Sequence, residues 1–357
     1  MNFRVYFLHI LREREREREG ERERVMGSEI PRVEERGQTL IIGSTGFIGR
    51  FVAEASLASG RPTYLLVRGG RVSSCKAKAN AIMSLQDKGA IILQGSSNDK
   101  ATMEKILKEH RIEIVISAVG GDSILEQLVL VEAIKSVGTI KRFVPSEFGH
   151  DIERANPVEP GLAMYEKKRK VRRMIEGSSV PYTYICCNSI AAWPYHDNTH
   201  PADILPPLDC FHIYGDGTVK AYFVEGSDIG KITIECLDDD RTLNKTVHFR
   251  PSKNLLSINE LASLWEEKIG LKLPRVTVTK DDLLSAAQEM VIPRSIVAAL
   301  THDIFIKGCQ VNYSLDKPTD VEVTSLYPDM PFKTVDECFS DFAKKIADVP
   351  KAVEDAG

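Results

Sequence analysis

A short apolar run, Leu40-Ile41-Ile42, breaks into the glycine turn Gly43-Ser44-Thr45-Gly46-Phe47-Ile48-Gly49, continues as a helical pattern ended by Gly60, and resumes as Tyr64-Leu65-Leu66-Val67 before Arg68. Strand, glycine turn, helix and strand in this order form a βαβ unit, which commits the chain to a parallel sheet covered by helices. Gly43 permits the tight turn, Gly46 lets backbone approach a phosphate, and Gly49 lets helix and strand pack closely. Phe47, Ile48, Phe51, Val52 and Ala55 repeat as one helical face. Free amides at such a helix N-terminus form an anion site, so residues 43–49 are the expected seat of a dinucleotide pyrophosphate.

Alternation of strand and helix continues through Ala90-Ile91-Ile92-Leu93, a helix bearing Met103, Ile106 and Leu107, a strand from Ile112 to Ser117, a helix from Ile124 to Ile134, and Arg142-Phe143-Val144. The fold class that follows is α/β, a doubly wound parallel Rossmann sheet whose ligands sit at the carboxyl ends of the strands. Arg68 ends the second strand, where an NAD-selective site usually carries an acidic residue; a guanidinium there suits a 2′-phosphate instead. Lys76 adds a second positive charge, and the small residues Ser117, Ala118 and Val119 let the cofactor ring come close. NADPH is the expected cofactor.

With 357 residues, 43% of them hydrophobic, the chain can bury one large core or two modest ones. A formal net charge of −4 provides no broad basic field for nucleic acid, and no apolar run approaches bilayer length. The seven cysteines include no CxxC pair and no metal-ligand spacing. Free thiols, a cytoplasmic setting and no bound metal are expected.

Two strand ends carry chemistry. Pro145-Ser146-Glu147-Phe148-Gly149-His150-Asp151 sets a histidine at the edge of the expected nicotinamide site. In the next helix Met164, Lys168, Val171 and Ile175 fall at i, i+4, i+7 and i+11, so Lys168 alone of its basic run shares the apolar stripe. A lysine on an apolar face has its neutral form favoured, as a proton-transfer group requires. Tyr165 is followed by Arg169, not by the lysine of a Tyr-x-x-x-Lys dehydrogenase. Adjacent Cys186 and Cys187 point to opposite faces of a strand and serve as small buried residues, whereas Asn188 can hydrogen-bond cofactor or substrate.

The turn GSTGFIG, the segment PSEFGHD, the lysine ahead of Val171-Arg172-Arg173, Tyr214-Gly215-Asp216-Gly217 and Arg241-Thr242-Leu243-Asn244-Lys245 together resemble the plant isoflavone reductase-like family. Ile185-Cys186-Cys187-Asn188 and Thr301-His302-Asp303 resemble two motifs of its branch that reduces flavan-3,4-diols. Arg142-Phe143-Val144-Pro145 resembles a third, with Val144 in place of leucine. The resemblance implies NADPH-dependent reduction of a flavan-3,4-diol to a flavan-3-ol through a quinone methide. It also implies that Lys168, which borders the cofactor as well, takes the phenolic proton and that His150 protonates the leaving hydroxyl. Met164 and Tyr165 would line the flavonoid pocket, with Thr301, His302 and Asp303 shaping it. Rival expectations are a relative acting on lignan or isoflavone substrates, and a non-catalytic dinucleotide sensor of the NmrA type, which has no need of a proton-transfer pair.

Past Asn188 the alternation stops. Residues 192–207 are rich in proline and aromatics, a loop able to fold over a flat phenol. Phe211–Tyr214 and Val219–Val224 flank a Gly-Asp-Gly turn as an expected hairpin. Ser257 with Glu260, and Thr334 with Glu337, form capping boxes that open two helices. The expected division is a cofactor domain over 38–187, with 211–250 partly returning to it, and a smaller α/β substrate lobe over 188–210 and 251–357. A monomer or weak dimer acting on a small-molecule flavonoid is expected, without nucleic acid or membrane as partner.

Residues 1–37 are expected to be a disordered or non-native extension: Arg12 to Arg24 alternates Arg and Glu almost strictly and offers no apolar face to dock. A repeated GA dinucleotide read in triplets encodes this alternation, so the working protein is expected to begin at Met26. Mass spectrometry of the native N-terminus checks it; intact peptides from Met1 to Arg24 in the source tissue would sink the idea.

Overall fold

The computed structural model describes residues 36–69, 76–190, 206 and 208–348. The expected loop over 192–207, apart from Pro206, and the N-terminal extension through residue 35 lie outside them. The described residues from Gly37 onward form one compact unit.

The first five strands are β1 (Thr39–Ile42), β2 (Thr63–Val67), β3 (Ile91–Gln94), β4 (Ile114–Ser117) and β5 (Arg142–Val144). They are parallel in the order β3-β2-β1-β4-β5, and β1 pairs with β2 and with β4 along its whole length. Beyond β5 a parallel bridge between Phe143 and Tyr182 continues the sheet into β6 (Thr183–Cys186). That strand pairs in parallel with β10 (Lys245–His248), which pairs with β13 (Asp320–Glu322). β6, β10 and β13 form a three-stranded sheet of their own, which this single bridge links to the edge of the first. Strand order reverses direction at β1/β4, the topological position where ligands bind in open α/β sheets.

Both faces of the sheet are apolar because helices cover both. Ile41, Leu65, Ile116, Val144 and Ile185 enter one core with Val52 and Ala53 of α1 (Phe47–Ala58) and Ile229 and Ile232 of α6 (Gly226–Glu235). Leu40, Ile42, Val115, Phe143 and Tyr184 enter the other. The latter is closed by α3 (Lys100–Glu109), α4 (Glu126–Val137) and α5 (Gly161–Glu176), while α2 (Lys76–Asp87) contributes Leu85 to the first. The buried side of α1 is Gly49, Val52, Ala53 and Ser56, offset from the stripe expected from the sequence. The reason is that α1 is covered twice, by the sheet and by α6, and Phe51 and Ala55 face the latter. A Cβ on Gly226 would strike the Phe51 ring, and one on Gly230 the Phe51 backbone carbonyl.

One expectation fails. β8 (Phe211–Tyr214) and β9 (Lys220–Val224) flank a real turn but do not pair as a hairpin. β8 pairs in parallel with β12 (Arg275–Val278), and β9 pairs with β7 (Ser189–Ile190) and β11 (Leu255–Ser257). Gly215 and Gly217 both take left-handed φ, +61° and +70°, and the strands diverge from the turn. Their inward residues, Phe211, Ile213, Ala221 and Phe223, still meet in one core. This core also holds Trp265 of α7 (Ile258–Ile269), Phe305 of α9 (Arg294–Phe305), which follows α8 (Lys280–Gln288), and Phe339 of α11 (Val335–Asp348), the last helix after the short α10 (Val323–Leu326). Both predicted capping boxes form.

Gly230→Ala forces a methyl into backbone that cannot yield, and should lower the free energy of unfolding by about 1–3 kcal/mol. Gly120→Ala, on extended backbone with nothing within 4 Å of the added carbon, should change it by less than about 0.5 kcal/mol. Urea unfolding of the two variants measures the contrast.

Candidate active site

The glycine turn closes through Gly46 N–H donating to the Gly43 carbonyl at 2.9 Å. Gly43 has φ +87°, and a side chain there would run into the Ala118 backbone, which lies close because Ala118 N–H donates to Ile42. A Cβ on Gly49 would strike the Gly43 carbonyl, so this glycine packs helix against turn, not against strand. Helix α1 starts with no side-chain cap and no acidic residue in its first turn, which leaves its amides and dipole open to an anion. Around them Gly43, Ser44, Thr45, Val67, Arg68, Ser97 and Val119 line a cleft. The Ser44 and Ser117 hydroxyls are buried without a hydrogen-bond partner among the described residues.

Arg68 reaches across the cleft mouth to Glu126 Oε1 at 3.4 Å and Ser123 Oγ at 3.2 Å, and Ser97 Oγ donates to Glu126 Oε2 at 2.8 Å. The Arg68 side chain stays 42% exposed, open to an approaching phosphate. Uncapped amides, orphaned hydroxyls and an exposed guanidinium are the donor set of an anionic dinucleotide, so these residues fit NADPH. Lys76 is the exposed first residue of α2 and is not among the cleft residues. Nor are Phe47 and Ile48: Phe47 packs edge-on against Phe51, and Ile48 packs on the core.

A second cavity, of about 260 Å³, opens at the carboxyl ends of β5 and β6. Its wall includes Phe148, Gly149 and His150 from the loop after β5, Met164, Tyr165 and Lys168 from α5, Asn188 and Ser189 after β6, and Val297, Leu300, Thr301 and Ile304 from α9. Lys168 Nζ donates to the Glu147 backbone carbonyl at 2.7 Å. Burial lowers the pKa of this ammonium, Glu147 opposes the shift, and Arg172 adds to it. Its remaining exposure is to the cavity, which a bound substrate would cover.

The Tyr165 hydroxyl and His150 Nε2 share a short hydrogen bond. Burial raises the pKa of the phenol, so it keeps its proton. Burial, with Lys168 adding to it, lowers the His150 pKa to about 4, against the pull of Asp303 and Asp151. Asn188 adopts φ +59°, a conformation asparagine tolerates. Its N–H donates to Gly149 at 3.0 Å and its Nδ2 to Phe249 at 2.9 Å, and the buried Oδ1 has no hydrogen-bond partner among the described residues.

Residues 35–339 match the NmrA-like family. The chain belongs to the NmrA-like family. Among relatives in it, a leucoanthocyanidin reductase from Desmodium uncinatum is 60% identical over 88% of this chain and 81% of its own length. A phenylcoumaran benzylic ether reductase from Pinus taeda is 43% identical over 86% of this chain and 99% of its own. The solved binary complex of leucoanthocyanidin reductase with NADPH from Vitis vinifera is 64% identical, with a TM-score of 0.82, covering 86% of this chain and 99% of that one.

Of the three residues of the Thr301-His302-Asp303 motif, only Thr301 lies in the cavity wall of this NmrA-like protein. All three belong to α9 itself instead of following it. His302 is buried with neither ring nitrogen hydrogen-bonded among the described residues. The Asp303 carboxylate accepts from Asn156 N–H at 3.1 Å, lies 3.6 Å from Lys307 Nζ, and stands within 4.8 Å of donor atoms of His150 and Cys309. It is a buried neighbour of His150 and not a wall residue. Sequence reasoning missed Ser97, Glu126 and Ser189, polar residues with no motif around them. It also missed the apolar wall of α9, although Val297, Leu300 and Ile304 recur at helical spacing.

The depressed His150 pKa has a consequence for stability. Between about pH 6.5 and pH 4 the unfolded chain takes up a proton at this residue and the folded chain does not, so stability is lost as pH falls through that window. The loss attributable to His150 should reach about 3 kcal/mol. Urea unfolding at pH 7.5 and pH 4.5 should show a smaller pH-dependent drop in His150→Asn than in the wild type.

Proposed function

We propose that this chain reduces a leucoanthocyanidin, a flavan-3,4-diol such as leucocyanidin, to a flavan-3-ol such as catechin, using NADPH. The observation that carries this is the presence of Lys168 and His150 in one cavity at the strand ends, beside the cleft of the glycine turn. Identities of 60% and 64% to leucoanthocyanidin reductases, against 43% to a benzylic ether reductase, support the substrate class. NADPH, held by Gly43, Ser44, Thr45 and Gly46 of the glycine turn and by Arg68, with Ser117, Ala118, Val119, Lys168 and Asn188 toward its ring end, supplies the hydride.

The C4 hydroxyl of the substrate is a poor leaving group. It departs as water once it gains a proton and the phenol at position 7 loses one, which leaves a quinone methide electrophilic at C4. Addition of hydride there and return of a proton to the phenolic oxygen complete the flavan-3-ol. Lys168 takes the phenolic proton in its neutral form, which burial makes accessible. His150 delivers the proton to the departing hydroxyl, and the Tyr165 hydroxyl orients its ring through Nε2. The same burial makes imidazolium scarce at neutral pH while making it a strong acid, and an acid working with a base gives a bell-shaped pH profile. Met164 and Thr301 shape the pocket around the flavonoid. The free thiols of the six described cysteines support a cytoplasmic setting.

Purified protein with NADPH should form catechin from leucocyanidin and leave pinoresinol and isoflavones unreacted; turnover of either rival without catechin would overturn the assignment. Lys168→Met should lower kcat by about a hundredfold or more while NADPH still binds.

A further inference from the structure

Beneath the cavity lies a set of buried charges that the proposed chemistry does not use. Arg172 stands one turn beyond Lys168 on α5, its side chain 3% exposed. Nη2 donates to Glu147 Oε2 at 2.9 Å and Nη1 to Asp151 Oδ1 at 3.0 Å. Those two carboxylates flank His150 in the loop after β5, and the loop also supplies the carbonyl that receives Lys168. The loop is strained, since Phe148 has φ +27°. A forked guanidinium gives each carboxylate a nitrogen of its own in fixed geometry, and the Tyr184 ring, 4.5 Å from the guanidinium carbon, packs against the fork.

We propose that Arg172 is a positioning residue: from the helix that carries Lys168 it grips both ends of the Glu147–Asp151 loop, and so sets the separation of Lys168 and His150 across the cavity. The inference rests on the assignment of those two residues as the proton-transfer pair. Arg172 is not among the residues of the cavity wall. The grip also sets the charge around Lys168, which is faced by Glu147 and His150 from the loop, Arg172 from its own helix, and Cys186 and Cys187 from the end of β6. Loss of the guanidinium removes a like charge and leaves Glu147 with Lys168 as its neighbour, so both changes favour the ammonium form.

Arg172→Gln removes the charge and keeps a planar polar group. NMR titration of the Lys168 side chain, assigned with Lys168→Met, should move upward by about one pH unit or more. At pH 7, kcat with leucocyanidin should fall about tenfold or more with KM changed less than about threefold, and the NADPH dissociation constant should also stay within about threefold. If this variant does not fold, Arg172→Gln/Asp151→Asn strands one carboxylate fewer and should give the same three results. A Lys168 titration that does not move, an unchanged kcat, or a loss of NADPH affinity parallel to the loss of kcat would each overturn the proposal. The titration needs no turnover, so a wild type inert toward leucocyanidin would refute the functional assignment and leave the clamp to be judged by NMR.

Discussion

The hydrogen bond from Lys168 Nζ to the Glu147 carbonyl joins the two pieces of chain that carry the proposed chemistry. One is a helix, rigid and packed on the sheet through Val171 and Ile175; the other is an irregular loop with little structure of its own. An amine on an apolar helix face needs an acceptor, and a carbonyl at a strand end needs a donor. Each satisfies the other, and the cavity forms between them. Asn188 secures the far side of the loop through Gly149, so three segments distant in sequence converge on His150.

Burial has opposite uses for the two titrating groups. It brings Lys168 toward the neutral amine that can accept a proton, and it makes the His150 imidazolium scarce but strongly acidic. A neutral phenol at Tyr165 and a carboxylate at Asp303 then act on the histidine from within the protein. The charges are paired internally: Arg172 bridges Glu147 and Asp151, and Arg154 links Asp151 onward to Asp320, which also meets His248. Such buried pairs add little net stability compared with apolar packing but are costly to break one partner at a time, which suits a device for geometry.

The βαβ unit, the doubly wound sheet, Arg68 at the cleft and Lys168 in the cavity were legible because each depends on local periodicity or on position relative to a strand end. The hairpin expected at Gly215–Gly217 was not, because pairing partners are chosen by the whole core: β8 takes β12, and β9 takes β7 and β11. Pairing of Tyr165 with His150 joins residues on separate elements, and nothing in the spacing of either announces it. Glu147 and Asp151 look like ordinary loop carboxylates until Arg172 is seen between them. Asp303 sits beside a motif histidine in sequence yet serves His150 in space.

The central claim is that the cleft and the cavity form one reaction site in which hydride meets C4 of a flavonoid activated by Lys168 and His150. Isotope tracing tests this most directly, using NADPH deuterated at the transferring position and mass and NMR analysis of the flavan-3-ol formed. The account predicts one deuterium, at C4. Product without deuterium, or with deuterium at any other carbon, would contradict it.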